Sequence, residues 1–174
     1  MKVIDLLTPF GETIDTRTAV PFKPAMAQIK VLAMASGGGH WVQLLRLRPA
    51  WDGCAVTYAT VHADSAADVA PAPLLTFADA SRADWWRLPR VALDMAGIVL
   101  RVRPHVIVTT GAAPPLFALA VARLLGARTL WVDSIANGEV LSSSGRLARW
   151  VATTRLTQWP GLAQDGVEHW GSVL

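Results

Sequence analysis

Short apolar runs and helical segments take turns from residue 29 to the last residue, and that alternation narrows the possible folds more than any other feature of the chain. "IKVLAMA" is mostly apolar and ends in Ser-Gly-Gly-Gly, as a buried parallel strand entering a helix would. "CAVTYAT", "PLLTF", "HVIVTT", "RTLWVDS", "RLTQW" and the terminal "VEHWGSVL" read as further strands. The helices between them carry their own punctuation. "WVQLLRLR" places Trp41, Leu44 and Leu45 at helical spacing and stops at Pro49. "HADSAADVA" reads as a short helix or loop, and "ADWWRLPRVALDMAGIVLRVRP" as a long helix with Pro89 near its start and Pro104 ending it. "PPLFALAVARLLG" has prolines for a helix start and Gly126 just past its end, and "SGRLARWVA" is one more helix. Strands and helices at this spacing imply an α/β domain with a doubly wound, mostly parallel sheet.

The domain spans residues 29–174. Residues 1–28 form an arm in which Pro9, Gly11, Pro21 and Pro24 interrupt every periodic pattern. With 174 residues, 52% of them hydrophobic, the chain is long enough to bury one core and too apolar for disorder. Its single cysteine, Cys54, cannot form an intrachain disulfide and reads as a buried, inert thiol in a strand. No stretch resembles a secretory signal or a bilayer span of about 20 apolar residues, so a cytoplasmic chain, soluble or peripheral on a membrane, is expected. The net charge of +3 suits nucleic acid or anionic headgroups. Nucleic acid is set aside, because no zinc-finger, RNP or Lys/Arg-block pattern is present.

Doubly wound sheets hold ligands at the carboxyl ends of their strands, which points to residues 36–40, 109–113, 133–144 and 158–161. In the first of these, Ser36, Gly37, Gly38 and Gly39 lead into a helix. Glycine lets the backbone approach an anion closely, and a helix amino terminus offers free N–H groups. A diphosphate or sugar-phosphate cradle is the physical reading. The G-x-G-x-x-G dinucleotide fingerprint fails at Val42, and the P-loop signature is absent. The four histidines lack metal-ligand spacing, so no metal site is expected. His40, at the junction of loop and helix, is either a general base for a sugar hydroxyl or the group that orients the loop.

"SGGGHWVQLLRLRPAW", "VIVTTGAAPPLFALAVARLLGARTLWVDSIAN", "LSSSGRLARW", "LTQWPGLA" and "GSVL" resemble, in order, the blocks of the PssD family. Its members are membrane-facing, acceptor-binding subunits of split UDP-sugar glycosyltransferases. The family is similar to the eukaryotic subunit that helps add the second N-acetylglucosamine to a dolichol-linked sugar, and more distantly to the amino-terminal half of MurG. The resemblance covers residues 29–174 and implies a Rossmann-like domain that is the amino-terminal half of an inverting, metal-free GT-B enzyme. It implies that this chain binds a polyprenyl-diphosphate-linked saccharide and no cofactor of its own, while a PssE-like partner holds the UDP-sugar donor. The donor is glucuronic acid by the nearest resemblance and N-acetylglucosamine by the next, in exopolysaccharide assembly on the cytoplasmic face of the inner membrane.

Carried over by motif, the resemblance places Gly37–Gly39, Thr110, Gly111, Asp133, Ser134, Asn137 and Ser144 around the acceptor, with His40 and Glu139 as rival bases. Gly138 departs from the family pattern, where a β-branched residue is expected between Asn137 and Glu139. The eukaryotic relatives' amino-terminal membrane helix is also missing, since the arm here is too polar.

Two further surfaces are legible. "SRADWWRLPR" combines Trp85 and Trp86 with Arg82, Arg87 and Arg90, a composition suited to an anionic headgroup layer. Gln158, Trp159, Pro160 and Trp170 are expected to dock the partner, tryptophan being a frequent interface anchor. A non-catalytic recruitment scaffold is the alternative function, with an NAD(P)-dependent oxidoreductase a more remote one.

Overall fold

In the computed structural model, which describes residues 28–78 and 86–173, seven strands form one sheet. The strands are β1 (Lys30–Met34), β2 (Ala55–Thr60), β3 (Leu74–Thr76), β4 (Val106–Thr109), β5 (Arg128–Val132), β6 (Thr154–Thr157) and β7 (Glu168–His169). Their order is β3-β2-β1-β4-β5-β6-β7, and every neighbouring pair is parallel. The expected doubly wound α/β fold is therefore present, and the sheet is wholly parallel.

Five α-helices connect the strands: α1 (Gly39–Arg46), α2 (Ala66–Val69), α3 (Leu88–Val102), α4 (Pro114–Leu124) and α5 (Ser143–Leu147). Pro89 falls in the first turn of α3, and Arg103 closes that helix in a left-handed conformation just before Pro104. Pro114 and Pro115 open α4, where their missing N–H groups cost nothing, and Gly126 follows its end at φ 84°. The punctuation in the sequence is thus realised in the helices, with two shortenings. "SGRLARWVA" yields one α-helical turn and a 3₁₀ turn, Ala148–Trp150, and "HADSAADVA" a 3₁₀ turn, Ala63–Ser65, followed by α2. The terminal "VEHWGSVL" contributes only the pair Glu168–His169 to the sheet, and Trp170 onward leaves it.

Alternate residues of β1 and β4 face opposite layers, as strand geometry requires. Leu32, Met34 and Ile107 pack with Val91, Met95 and Val99 of α3 and Leu119 of α4. Val31, Ala33, Val106 and Val108 pack with Trp41 and Leu44 of α1. Complete burial of one such aliphatic side chain stabilises by roughly 1.5–3 kcal/mol, so both layers hold the sheet firmly. Cys54 lies just before β2, half-buried; burial, and then the charge of Asp52, pushes its thiol pKa upward. A raised pKa keeps it a thiol, in line with an inert role.

Candidate functional site

The chain reverses its strand order between β1 and β4, because β2 and β3 extend the sheet one way and β5 to β7 the other. Loops leaving two such strands diverge to opposite faces and open a crevice between them. Residues 35–39 and residues 110–113 border it.

The first loop is fixed to the end of β2. Ala35 donates its N–H to Ala59 O (3.1 Å), and Thr60 Oγ1 donates to Ser36 O (3.3 Å). Gly38 then takes φ 62°, ψ −137°, a conformation that only glycine adopts without strain. No side chain caps α1, and its first internal hydrogen bond runs from Val42 N–H to Gly38 O (3.2 Å). The N–H groups of Gly39, His40 and Trp41 precede that bond and have no partner within the helix. Gly38 and Gly39 are exposed, Ser36 and Gly37 half-buried. The four residues expected to cradle an anion do form an open, donor-rich helix entrance.

His40 bridges the crevice. Its Nδ1 lies 2.9 Å from Thr110 O, and Thr110 Oγ1 donates to His40 O at 2.7 Å. A carbonyl only accepts, so Nδ1 carries the hydrogen and the neutral ring has its bare lone pair on Nε2. The ring rests against Gly111, whose φ is +141°; a Cβ there would fall 2.5 Å from His40 Cε1. Ala112 follows at φ 78°, unusual for a residue with a side chain. Strained backbone of this kind, next to an oriented histidine, is the pattern of a functional loop. Thr110 and Gly111 thus meet His40, Thr110 as its hydrogen-bonding clamp.

The third loop does something other than expected. Asp133 is only 2% exposed. Its carboxylate accepts from Ser142 N–H (2.8 Å), Ser142 Oγ (2.6 Å) and Trp131 Nε1 (3.3 Å). Ser142 in turn caps α5 through Gly145 N–H (2.8 Å). Asp133 is therefore a loop organiser, its oxygens engaged by these donors. Ser134, also buried, accepts from Gln43 Nε2 and Ala136 N–H, both at 3.3 Å. Ser144 belongs to α5 rather than to the loop, and Ser142, which the motif reading passed over, is the serine that matters locally.

Glu139 is exposed and lines a cavity with Arg146, Arg149 and Arg155, and a second one with Asn137 and Trp159. Neither cavity includes His40, so the two rival bases do not share a site. The departure at Gly138 has a packing cause: a Cβ there would sit 3.3–3.4 Å from the Trp159 indole, whose Nε1 donates to Ile135 O (2.7 Å). A β-branched residue would push that ring off the loop.

Of the expected docking residues, Trp159 and Trp170 are partly exposed. Gln158 is 4% exposed and is corrected to an internal hub. Its Nε2 donates to Gln43 Oε1 (3.1 Å) and Asp133 O (3.0 Å), and its Oε1 accepts from Val173 N–H (3.0 Å). Trp86, Arg87 and Arg90 are exposed at the start of α3, with the Arg87 guanidinium 5.9 Å from the Trp86 ring centre. Trp85 and Arg82 lie outside the described residues, as does most of the arm. Among the described residues, no helix is long and apolar enough to cross a membrane.

No protein-family model matches the chain. Over 79 residues it is 42% identical to the UDP-N-acetylglucosamine transferase subunit ALG14 of Eremothecium gossypii, a stretch covering 42% of this chain and 35% of that protein. The chain thus spans about a third of the curated relative it matches. MurG of Acinetobacter baumannii superposes with TM-score 0.67 at 15% identity, covering 84% of this chain and 46% of that one. UDP-N-acetylglucosamine 2-epimerase of Rickettsia bellii superposes with TM-score 0.61 at 9% identity, covering 84% and 45%. The fold is that of one Rossmann-like half of MurG and of the epimerases. Fold alone does not choose between a transferase and an epimerase. The sequence similarity, over 42% of this chain, is to a transferase subunit.

Proposed function

We propose that this chain is the acceptor-binding subunit of an inverting, split UDP-sugar glycosyltransferase acting on a polyprenyl-diphosphate-linked saccharide, with the donor site on a partner subunit. The observation that carries this reading is His40: its Nδ1–H is held by Thr110 O, which leaves Nε2 bare at the switch-point crevice beside the glycine loop. In that arrangement the Gly39, His40 and Trp41 amides hold the acceptor's diphosphate. Nε2 removes the proton from the acceptor hydroxyl as that oxygen attacks the anomeric carbon of the donor and the C1–O bond to UDP breaks. The Thr110 carbonyl stabilises the imidazolium that results.

His40 is preferred over Glu139, which is exposed and lines cavities that do not include the glycine loop. N-acetylglucosamine is the donor that the similarity to a UDP-N-acetylglucosamine transferase subunit favours; glucuronic acid is the other outcome of the same assay. The partner fits an apolar cavity of about 190 Å³ over β5 and β6. Leu130, Val132 and Leu156 floor it, and residues 170–173 border it. Peripheral attachment to the cytoplasmic face of the inner membrane fits α3. That helix buries Val91, Met95 and Val99 yet exposes Leu93 and Leu100 two turns apart, beside Arg90 and Arg101.

Reconstitution with a candidate donor-binding partner tests the proposal, using radiolabelled UDP-sugars and a polyprenyl-diphosphate-linked saccharide. Turnover is expected from the pair and not from either chain alone. His40→Gln is expected to lower kcat by about 10²–10⁴-fold with acceptor binding retained. Unchanged turnover with His40→Gln would leave this chain as a recruitment scaffold.

A further inference from the structure

A lipid diphosphate is multiply charged, and a site for it needs a compensating positive group near the backbone donors. The loops leaving β1, β2, β4, β5 and β6 (residues 35–41, 61–68, 110–113, 133–144 and 158–161) contain no lysine or arginine. Arg87 follows β3, the edge strand, which β2 separates from β1. His40 and His62 are the groups of those five loops able to carry positive charge. His40 is already assigned as the base, and its Nδ1–H is committed to Thr110 O. His62 is left, and the sheet register brings it to the right place. Met34 pairs with Ala59, and continuing that register three residues sets Gly37 opposite His62. The ring indeed lies on the glycine loop: a Cβ on Gly37 would overlap His62 Cδ2 and Nε2. The two imidazoles therefore flank the loop, His62 against Gly37 and His40 against Gly111. His62 is exposed.

We propose that His62 is the cationic contact for the acceptor's diphosphate, standing across the glycine loop from the base. This rests on the diphosphate reading of the loop given above. Glycine at position 37 is then required twice over, to let the diphosphate reach the amides and to leave room for the Cδ2–Nε2 edge of the imidazole against the backbone.

The test is calorimetric titration of the full chain with inorganic pyrophosphate at one pH, comparing wild type, His62→Gln, His62→Arg and Gly38→Ala. His62→Gln is expected to weaken binding about tenfold, the scale of one charge-assisted hydrogen bond at an exposed position. His62→Arg is expected to recover most of it, and Gly38→Ala to lose binding through distortion of the cradle. If pyrophosphate binds and Gly38→Ala abolishes it while His62→Gln changes nothing, the His62 assignment is overturned and the diphosphate reading stands. Equal weakening by His62→Gln and His62→Arg also overturns it, since shape rather than charge would then matter. Absence of binding to the wild-type chain overturns both readings together.

Discussion

Gly111→Ala and Gly39→Ala place the same methyl group at two ends of one site and should have opposite consequences. At Gly39 a Cβ meets nothing within 4 Å, and the residue opens α1. Replacing glycine by alanine in a helix is worth about 0.5–1 kcal/mol in favour of folding, so Gly39→Ala should be neutral or slightly stabilising. At Gly111 the methyl would lie 2.5 Å from His40 Cε1 and 2.6 Å from Nδ1, at φ +141°. The strained backbone alone costs about 1–3 kcal/mol. Displacing the ring also breaks the 2.9 Å bond to Thr110 O, worth about 1 kcal/mol. The sum is roughly 2–4 kcal/mol, a Tm loss on the order of 5–15 °C for a chain of this size. Differential scanning fluorimetry and urea unfolding measure the stability term. The ¹H–¹³C signals of His40 report its tautomer, and Gly111→Ala should shift them while Gly39→Ala does not. Equal stabilities and unshifted His40 signals in the two variants would refute the claim that the ring is wedged against Gly111.

Asp133→Ala removes the acceptor for three donors, of which the Trp131 indole is fully within the core, and should destabilise by about 3–5 kcal/mol in urea titration; a loss below about 1 kcal/mol would return Asp133 to the list of solvent-facing groups. Leu93→Glu, on the exposed face of α3, should cut flotation with phosphatidylglycerol vesicles by about tenfold or more, the scale of one buried leucine. Unchanged flotation would remove α3 from the membrane contact.

What similarity contributes is uneven along the chain. The transferase-subunit likeness covers under half of it, while the MurG likeness covers most of it at an identity that speaks to fold. Catalytic assignment therefore leans on local geometry. His40 is supported by its tautomer and its position at the switch point. Glu139 is exposed on loop 133–142, whose two ends are tied together by the Asp133–Ser142 contacts.

The amino-acid sequence by itself determined the alternation of strands and helices, the helix boundaries at Pro89, Pro104, Pro114 and Gly126, and the donor-rich glycine loop, because each follows from local sterics and periodicity. It did not determine who meets whom. His62 reaches Gly37 through the β1–β2 register, and His40 reaches Thr110 across the β1–β4 reversal. Asp133 turns inward because Ser142 and Trp131 stand where its oxygens can be satisfied, and Gly138 yields to an indole twenty-one residues away in the chain. The two histidine pairings join segments 25 and 70 residues apart, and only packing of the whole sheet brings them together.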